Sequence, residues 1–461
     1  MDINEILSKA SAEEIMAALK EKTITLRPWN GGKKSLLWEY DSNKHPVMDR
    51  ALYPDKVESD GSLEPVTRIT LDYPKLAAAR MTELCCGVPV KRVYSPGNKR
   101  QKEVAVYLEN IFERNRIDAV NVDRLNKLFA SCEVLTLWYA VEQPTDAYGF
   151  NSSLKLRNRT FSPMTGDKLY PLFDEYGDLI ALSIEYTRKV AGNTVSYFDC
   201  YTQDRHIKWN NQYSGWTEEA NEEIKLGKIP GIYMYRPTPV WENTAKLVYE
   251  MEFALSRNGN YLRRNSKPLF VVFADQQIRY GDEDKDGDLG VLQYPAGSSA
   301  SYVTWQQAVE NLKFYVNELR NSFFTQLQLP DWSYEKMSQQ AMSGESRKQL
   351  FIDSQLKVKD ESGRLLEFFD REVNVVKAFL KGMLPDTYAS DIEALPVETV
   401  ITPFSITDEK DTIGNLVTAT GGKAIMSQRE AVETLGWSKD VDETMRQLAI
   451  EGQQDVFPSY E

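Results

Sequence analysis

The sequence predicts an α+β fold, and three observations carry that reading. Apolar residues recur at helical intervals near the start and through most of the second half. The stretch 133–236 consists instead of short β-branched and aromatic runs, and Pro237 and Pro239 mark the switch back to helix.

In chain order, Ile6, Leu7, Ala10, Ile15, Ala18 and Leu19 recur at near-helical intervals, and Ser11 followed by Glu14 is a capping box that starts a second short helix. Residues 24–66 are turn-rich and carry tryptophan, without usable periodicity. Helix is predicted over 76–84 and over 103–129. The second has Val106, Leu108, Ile111 and Phe112 before Arg116, and Val122, Leu125, Leu128 and Phe129 after it. Runs such as 179–186 and 194–200, separated by Gly, Asn and Asp, predict antiparallel sheet with hairpins.

Val248, Met251, Leu255 and Leu262 stripe a helix within 242–267, weakened by Gly259. A short strand at 269–273 and an acidic loop at 281–290 follow. Trp305, Val309, Leu312, Val316, Leu319, Phe323 and Leu327 then step by four or three along a helix over 305–327, which Pro330 stops. Gln306, Lys313, Asn317 and Arg320 lie off that stripe, so one face packs and another is wet. After a polar stretch at 331–345, a long helix runs from 346 to about 383 with Leu366, Phe369, Val373, Val376 and Leu380 on one face and Gly363 as a candidate kink. It far exceeds the mean helix of about 11 residues. A strand at 397–401 and short amphipathic helices at 409–418 and within 427–451 close the chain.

The 461 residues carry a formal charge of −13 and 42% hydrophobic content, enough for two to four regions with real cores. Such an acidic balance argues against a protein that grips nucleic acid over a broad surface, because that binding runs on clustered Lys and Arg. Cys85, Cys86, Cys132 and Cys200 form neither a C-x-x-C pair nor a disulfide framework and are expected to be reduced and mostly buried. His45 and His206 are the only histidines, which leaves few options for zinc or nucleophile–His chemistry. The acidic, amphipathic start is unlike a signal peptide, and no run of about 18 apolar residues occurs, so a cytoplasmic origin and no membrane partner are expected.

Catalytic motifs are missing from the sequence. Gly31-Gly32-Lys33-Lys34-Ser35 lacks the glycine spacing of a P-loop, and neither G-x-G-x-x-G nor G-x-S-x-G occurs. Asp282, Asp284, Asp286 and Asp288 stand at positions 1, 3, 5 and 7 of a loop with Gly287 at 6, a spacing that lets a chain wrap Ca²⁺. Position 12 is Gln293 rather than a bidentate Glu, and the preceding segment reads as strand. The expectation is therefore a solvated acidic turn, with a weak Ca²⁺ site as the alternative and no cofactor otherwise. Ser343-Gly344 before the long helix reads as capping. Trp332 and Tyr334, in an otherwise polar stretch, read either as a contact surface or as residues covered by a neighbouring helix.

The order of segments resembles the portal, or head-to-tail connector, proteins of tailed bacteriophages over nearly the whole chain. The resemblance is carried by Tyr73-Pro74-Lys75 through Gly87-Val88-Pro89 and by Leu108-Glu109-Asn110-Ile111 through Ala130-Ser131-Cys132. It continues with Gly227-Lys228-Ile229-Pro230 before the next helix, Val303-Thr304-Trp305, the Pro330-Asp331 break and Ser343-Gly344. The ending from Ile425-Met426-Ser427 to Thr434-Leu435-Gly436 is also similar.

That resemblance implies a portal fold: a wing from 1–238 and 346–400, stem helices in 239–267 and 305–328, a small α/β clip at 268–304, a tunnel loop at 329–345 and a helical crown at 401–461. It implies a non-enzymatic ring, usually a dodecamer, at one capsid vertex of a virion assembled in the host cytoplasm, with double-stranded DNA in its channel. The implied partners are major capsid and scaffolding proteins, the terminase and head-tail adaptor proteins. Trp332, Tyr334, Lys336, Ser343 and Gly344 would face the channel. Arg257, Arg263, Arg264 and Lys267 at the stem end would lie near the DNA backbone, or pair with a neighbour's acids, or simply be solvated. The proposed clip is acidic, with Asp275, Asp282, Glu283, Asp284, Asp286 and Asp288 against Arg279 and Lys285. Another connector or capsid ring component, or a divalent-metal-dependent enzyme using the 282–288 acids, are the alternatives.

Overall fold

The computed structural model describes residues 3–21, 24–57, 60–213, 215–265, 269–273, 299–303, 309–331, 352–404, 409–421, 424–438 and 440–454. It begins with α1 (Ile3–Leu7) and α2 (Ala12–Leu19); Ser11 Oγ accepts the Glu14 N–H at 3.2 Å, which is the predicted cap. The turn-rich segment holds α3 (Leu36–Tyr40), two single 3₁₀ turns and a small hairpin of β1 (Lys56–Val57) and β2 (Leu63–Glu64). Then come α4 (Tyr73–Cys86), β3 (Lys91–Tyr94), α5 (Lys99–Arg114) and α6 (Ile117–Ser131).

The helix expected over 103–129 is thus two. Arg116 takes a left-handed φ of 50°, and the Asn115 side chain donates to the Ile111 carbonyl at 2.9 Å, closing α5. Neither residue is Gly or Pro, so the break leaves no conventional mark in the sequence. Cys132 ends α6 with φ 65°, its N–H donating to the Leu128 carbonyl, and the chain turns directly into strand.

The predicted β region forms two antiparallel sheets. One has the order β11-β4-β5, from β4 (Glu133–Thr145), β5 (Ser152–Phe161) and β11 (Gly231–Tyr235). The other has the order β10-β9-β8-β7-β6, from β6 (Lys168–Phe173), β7 (Leu179–Val190), β8 (Asn193–Tyr201), β9 (Arg205–Asn210) and β10 (Thr217–Glu223). Alternation along β8 shows how the larger sheet is covered. Val195, Tyr197 and Tyr201 face the smaller sheet, while Phe198 and Cys200 face α1 and α2. The sheets approach closely at Gly231, where a Cβ would stand 2.4 Å from Leu182 Cδ2, so any side chain there would force that leucine to move.

The second half contains α7 (Ala245–Asn265), β12 (Leu269–Phe273), β13 (Ser299–Val303) and α8 (Val309–Leu327). Strands β12 and β13 pair antiparallel, Leu269 opposite Val303. The small, polar β13 was not expected from its sequence. Then follow α9 (Ile352–Met383), the short α10 (Ala389–Ala394) and β14 (Val397–Val400), which pairs with β3. Helix α9 is continuous through Gly363. Helices α11 (Glu409–Thr420), α12 (Gln428–Leu435) and α13 (Val441–Gln454) end the described chain. The predicted helix starts at 305 and 346 fall among or before residues outside the described set.

The main core gathers α4, α5, α6, one face of β4, the start of α7, the end of α8 and most of α9. No described helix is long and apolar enough to cross a membrane.

Candidate channel-forming hairpin and its anchors

Burial along α7 and α8 runs in opposite directions. In α7, Val248, Met251, Glu252 and Ser256 are buried, and the exposed side chains Arg257, Leu262 and Arg263 follow. In α8 the exposed residues come first and Phe323, Phe324 and Leu327 are buried last. The two helices are joined through the β12–β13 ladder, so they form a hairpin rooted in the body at one end. At about 1.5 Å per residue each helix is roughly 30 Å long. Away from the root, Leu262 is 53% and Phe314 68% exposed, an apolar surface that the described residues of one chain leave uncovered.

The root is held by polar contacts from the turn-rich segment. Ser256 Oγ accepts the Ile69 N–H at 2.9 Å, Asn260 Oδ1 accepts the Thr67 N–H, and Asn260 Nδ2 donates to Tyr53 Oη at 2.8 Å. Gly259 permits this approach, because a Cβ there would lie 2.8 Å from Thr67 Cγ2. The glycine read as a weak point in the stripe is therefore where the N-terminal segment crosses the helix.

His45 and Glu252 form the buried centre of the root. His45 Nδ1 lies 2.6 Å from Glu252 Oε1, and Nε2 lies 2.9 Å from the Glu39 carbonyl oxygen. The Glu39 carbonyl only accepts, as does an ionised carboxylate, so the charged imidazole, with both ring nitrogens donating, satisfies both partners. Burial lowers its pKa, but the Glu252 hydrogen bond and charge, the Glu39 carbonyl and Asp72 outweigh that and raise it above the ordinary value. Glu252 Oε1 also accepts the Leu71 N–H at 2.7 Å.

The C-terminal end of α8, at the root, is capped by α9. The Lys357 ammonium donates to the Leu327 carbonyl, and Ser354 Oγ donates to the Gln328 carbonyl at 3.1 Å, satisfying carbonyls that a helix end leaves free. Burial, then the Arg236 charge, pushes Lys357 down to about 8. Arg320 pairs with Asp331 at 2.8 Å across the turn.

Deeper in the body, the Arg124 guanidinium on α6 grips Glu372 on α9 with two hydrogen bonds, of 2.7 and 2.6 Å. Trp138 Nε1 on β4 donates to the same carboxylate at 2.9 Å, and Asn121 Oδ1 accepts from Arg124 at 2.6 Å. The guanidinium also lies over the Phe368 ring, 4.4 Å from its centroid. Burial pushes the Glu372 carboxyl up; Arg124, then Arg92 and the Trp138 N–H, more than reverse this and hold it below the ordinary carboxylate range.

The residues singled out in the sequence divide sharply. Arg257 is exposed at the root itself, one residue after buried Ser256, and Arg263 is exposed three residues beyond Asn260; Arg264 belongs to the same helix. Lys267, Trp332, Tyr334, Lys336, Ser343, Gly344 and the acids Asp282, Asp284, Asp286 and Asp288 lie outside the described residues. Among the described residues, no group of three His, Cys, Asp or Glu side chains is placed to hold a metal ion. The four cysteines are buried and unpaired, and desolvation pushes Cys86, Cys132 and Cys200 to about 12, so none is a ready nucleophile. His45, Glu252, Arg124 and Glu372 were not anticipated as partners, since 207 and 248 residues separate the members of each pair.

The family described as phage portal protein, SPP1 Gp6-like, matches residues 35–456. Among solved structures, the virion of a native gene transfer agent (GTA) particle is similar with 11% identity and a TM-score of 0.39 over 92% of this chain and 98% of the other. The neck of an empty GTA particle computed with C6 symmetry gives 11% identity and 0.40 over 92% and 97%. The neck of a native GTA particle computed with C12 symmetry gives 11% and 0.41 over 92% and 98%. No curated protein matches the chain.

Proposed function

Because the chain belongs to the SPP1 Gp6-like phage portal protein family, we propose that it forms a closed ring, of twelve copies, at one vertex of a virion capsid, and that double-stranded DNA passes through the ring during packaging and ejection. The family is structural and non-enzymatic. The observation that carries the finer reading is the opposed burial of α7 and α8. A hairpin rooted at one end and apolar along its outer length needs neighbours, and a ring supplies them on both sides through head-to-tail contacts that close by rotation.

In this reading α7 and α8 are the stem, the residues between them including the β12–β13 pair are the clip that meets the terminase and later the tail adaptor, and α11 to α13 are the crown. The sheets, α4 to α6 and α9 make the wing, which meets capsid and scaffolding proteins in the host cytoplasm. Residues 329–345 are the tunnel loop, with Trp332, Tyr334 or Lys336 approaching the bore. An acidic chain suits a conduit, since each cation lining the bore would add phosphate affinity and slow the passage of DNA. The acids at 282–288 act as a solvated turn, for which millimolar Ca²⁺ should release no heat in a calorimeter.

Negative-stain microscopy of the purified chain at several salt concentrations tests the ring: closed rings with a central opening are expected, and monomers or dimers alone would overturn the reading. Deleting residues 332–340 should leave rings intact while impairing packaging; normal packaging yields would remove the tunnel-loop assignment.

A further inference from the structure

Against the net charge of −13, one face of the β sandwich is locally cationic. Lys155, Arg157 and Arg159 alternate along β5, so all three point to the same side of that strand, about 7 Å apart in succession. They share this side with Phe161, which packs on Tyr186 of the larger sheet with ring centroids 5.8 Å apart. Tyr186 in turn stacks on Tyr197 at 5.5 Å.

This row of rings ties the cations of the two sheets into one surface. The Arg159 guanidinium lies 4.5 Å from the Phe161 centroid and 5.6 Å from Tyr186. Arg188 of β7 lies 4.9 Å from Tyr186 and 5.7 Å from Tyr197, and the Lys208 ammonium of β9 lies 4.8 Å from Tyr197. Arg157, Arg159 and Arg188 are exposed; the rings beneath them are buried.

Acids are scarce here. Lys208 pairs with Glu219 at 2.6 Å, and Asp199 is buried below with the Tyr186 hydroxyl donating to it at 3.0 Å. Lys155, Arg157, Arg159 and Arg188 make no ion pair with any described residue. Like charges that share aromatic rings repel one another, and an external polyanion relieves that repulsion.

We propose that this face, Lys155, Arg157, Arg159, Arg188 and Lys208, binds the phosphate backbone of double-stranded DNA. The rings are covered by guanidinium groups and cannot stack on bases, so the binding is sequence-independent. This rests on the portal reading, which puts the chain in contact with DNA, and adds a holding surface on the wing to the conducting stem. An acidic neighbour subunit is the competing occupant. The acidic strand β10, with Glu218, Glu219, Glu222 and Glu223, belongs to the same sheet and reaches the same cations through the Glu219–Lys208 pair. Within one chain β10 spends only Glu219 on these cations, and a neighbour that reached this face would be read out as rings lost in the patch variant.

The test measures binding of random-sequence duplex DNA by fluorescence anisotropy across a salt series. It compares the full chain, the patch variant Arg157→Gln/Arg159→Gln, and the control Lys99→Gln/Lys102→Gln, which removes the same charge from exposed positions on α5. The patch variant should lose affinity about tenfold at low salt, and its slope of log K against log salt should fall by about 1.8, or ~0.9 for each phosphate that is no longer neutralised. The control should change neither. Equal slopes in the two variants would overturn the proposal, as would rings that dissociate in the patch variant while DNA affinity holds, which would make the face a subunit contact. Negative-stain images of the same samples keep the two questions apart: absence of rings in the unmodified chain counts against the portal, whereas the slopes report on the patch.

Discussion

Arg124 and Glu372 meet in a fully buried, two-pronged ion pair that fastens the long helix α9 to α6. Removing one partner strands the other charge in the core, at a cost of about 3–5 kcal/mol, whereas replacing both by apolar residues of similar volume is often nearly neutral. Glu372→Leu should therefore lower the urea midpoint steeply, and Arg124→Met/Glu372→Leu should recover much of the loss. A double variant no better than the single would mean that the Trp138 and Asn121 hydrogen bonds, not the stranded charge, dominate.

His45 gives the molecule a pH dependence of known sign. Its folded pKa is raised, so its contribution is fully present below the unfolded value of about 6.5 and is lost as pH rises through the folded value. Glu252 and Asp72 favour the charged ring, and Lys33, paired with Asp49, and Lys246 border the same cavity. Melting temperature should fall between pH 6 and pH 9, and His45→Gln should flatten that fall while lowering stability at pH 6. An unchanged slope in the variant would assign the pH dependence to other groups.

The helix stripes, the β region and the strand β12 were legible because each is a local pattern of apolar residues. Other features were hidden for physical reasons. The α5–α6 break rests on Asn115 and Arg116, whose residue types do not announce a left-handed turn. Strand β13 is small and polar and is specified by its partner β12. His45–Glu252 and Arg124–Glu372 are tertiary pairs with no local signature. The basic face did leave one, the alternation Lys155-x-Arg157-x-Arg159 within the predicted β region, which places three cations on one side of a strand. The tunnel loop beyond Asp331 and the acidic turn fall outside the described residues, so the first rests on the resemblance and the second on the spacing of its acids.

Gly259 should behave against the usual helix rule. Replacing a helix-interior glycine by alanine ordinarily stabilises by about 0.5–1 kcal/mol. Here the new Cβ would press on the Thr67 side chain, which is held by the bond from its own N–H to Asn260. Gly259→Ala should be neutral or destabilising by thermal melt, and Thr67→Ala/Gly259→Ala should recover the ordinary helix gain. If Gly259→Ala alone raises the melting temperature, the crossing is looser than its geometry indicates.

All four cysteines are buried, and desolvation holds Cys86, Cys132 and Cys200 near 12. At pH 8 a thiol-specific disulfide reagent should react negligibly with the native chain and with all four thiols after denaturation. Fast native reaction would place one of them at a surface that opens.

Phe314 bears most directly on the ring. It is 68% exposed on the outer part of α8, with Tyr315 beside it 44% exposed, and neither has a role in the core of one chain. Burying a phenylalanine against a neighbour is worth about 2 kcal/mol per contact, and in a closed ring every interface would lose that amount together. Phe314→Asp should therefore leave the melting temperature of the isolated chain within about 1 °C, since an exposed surface site contributes little to folding. The same substitution should shift the population from rings to monomers in sedimentation velocity. Phe323→Asp is the opposite case: that residue is buried at the root, so its loss should unfold the chain before assembly is reached. Rings that survive Phe314→Asp at unchanged concentration would mean that α8 does not face a neighbour, and the stem assignment of the hairpin would fall with it.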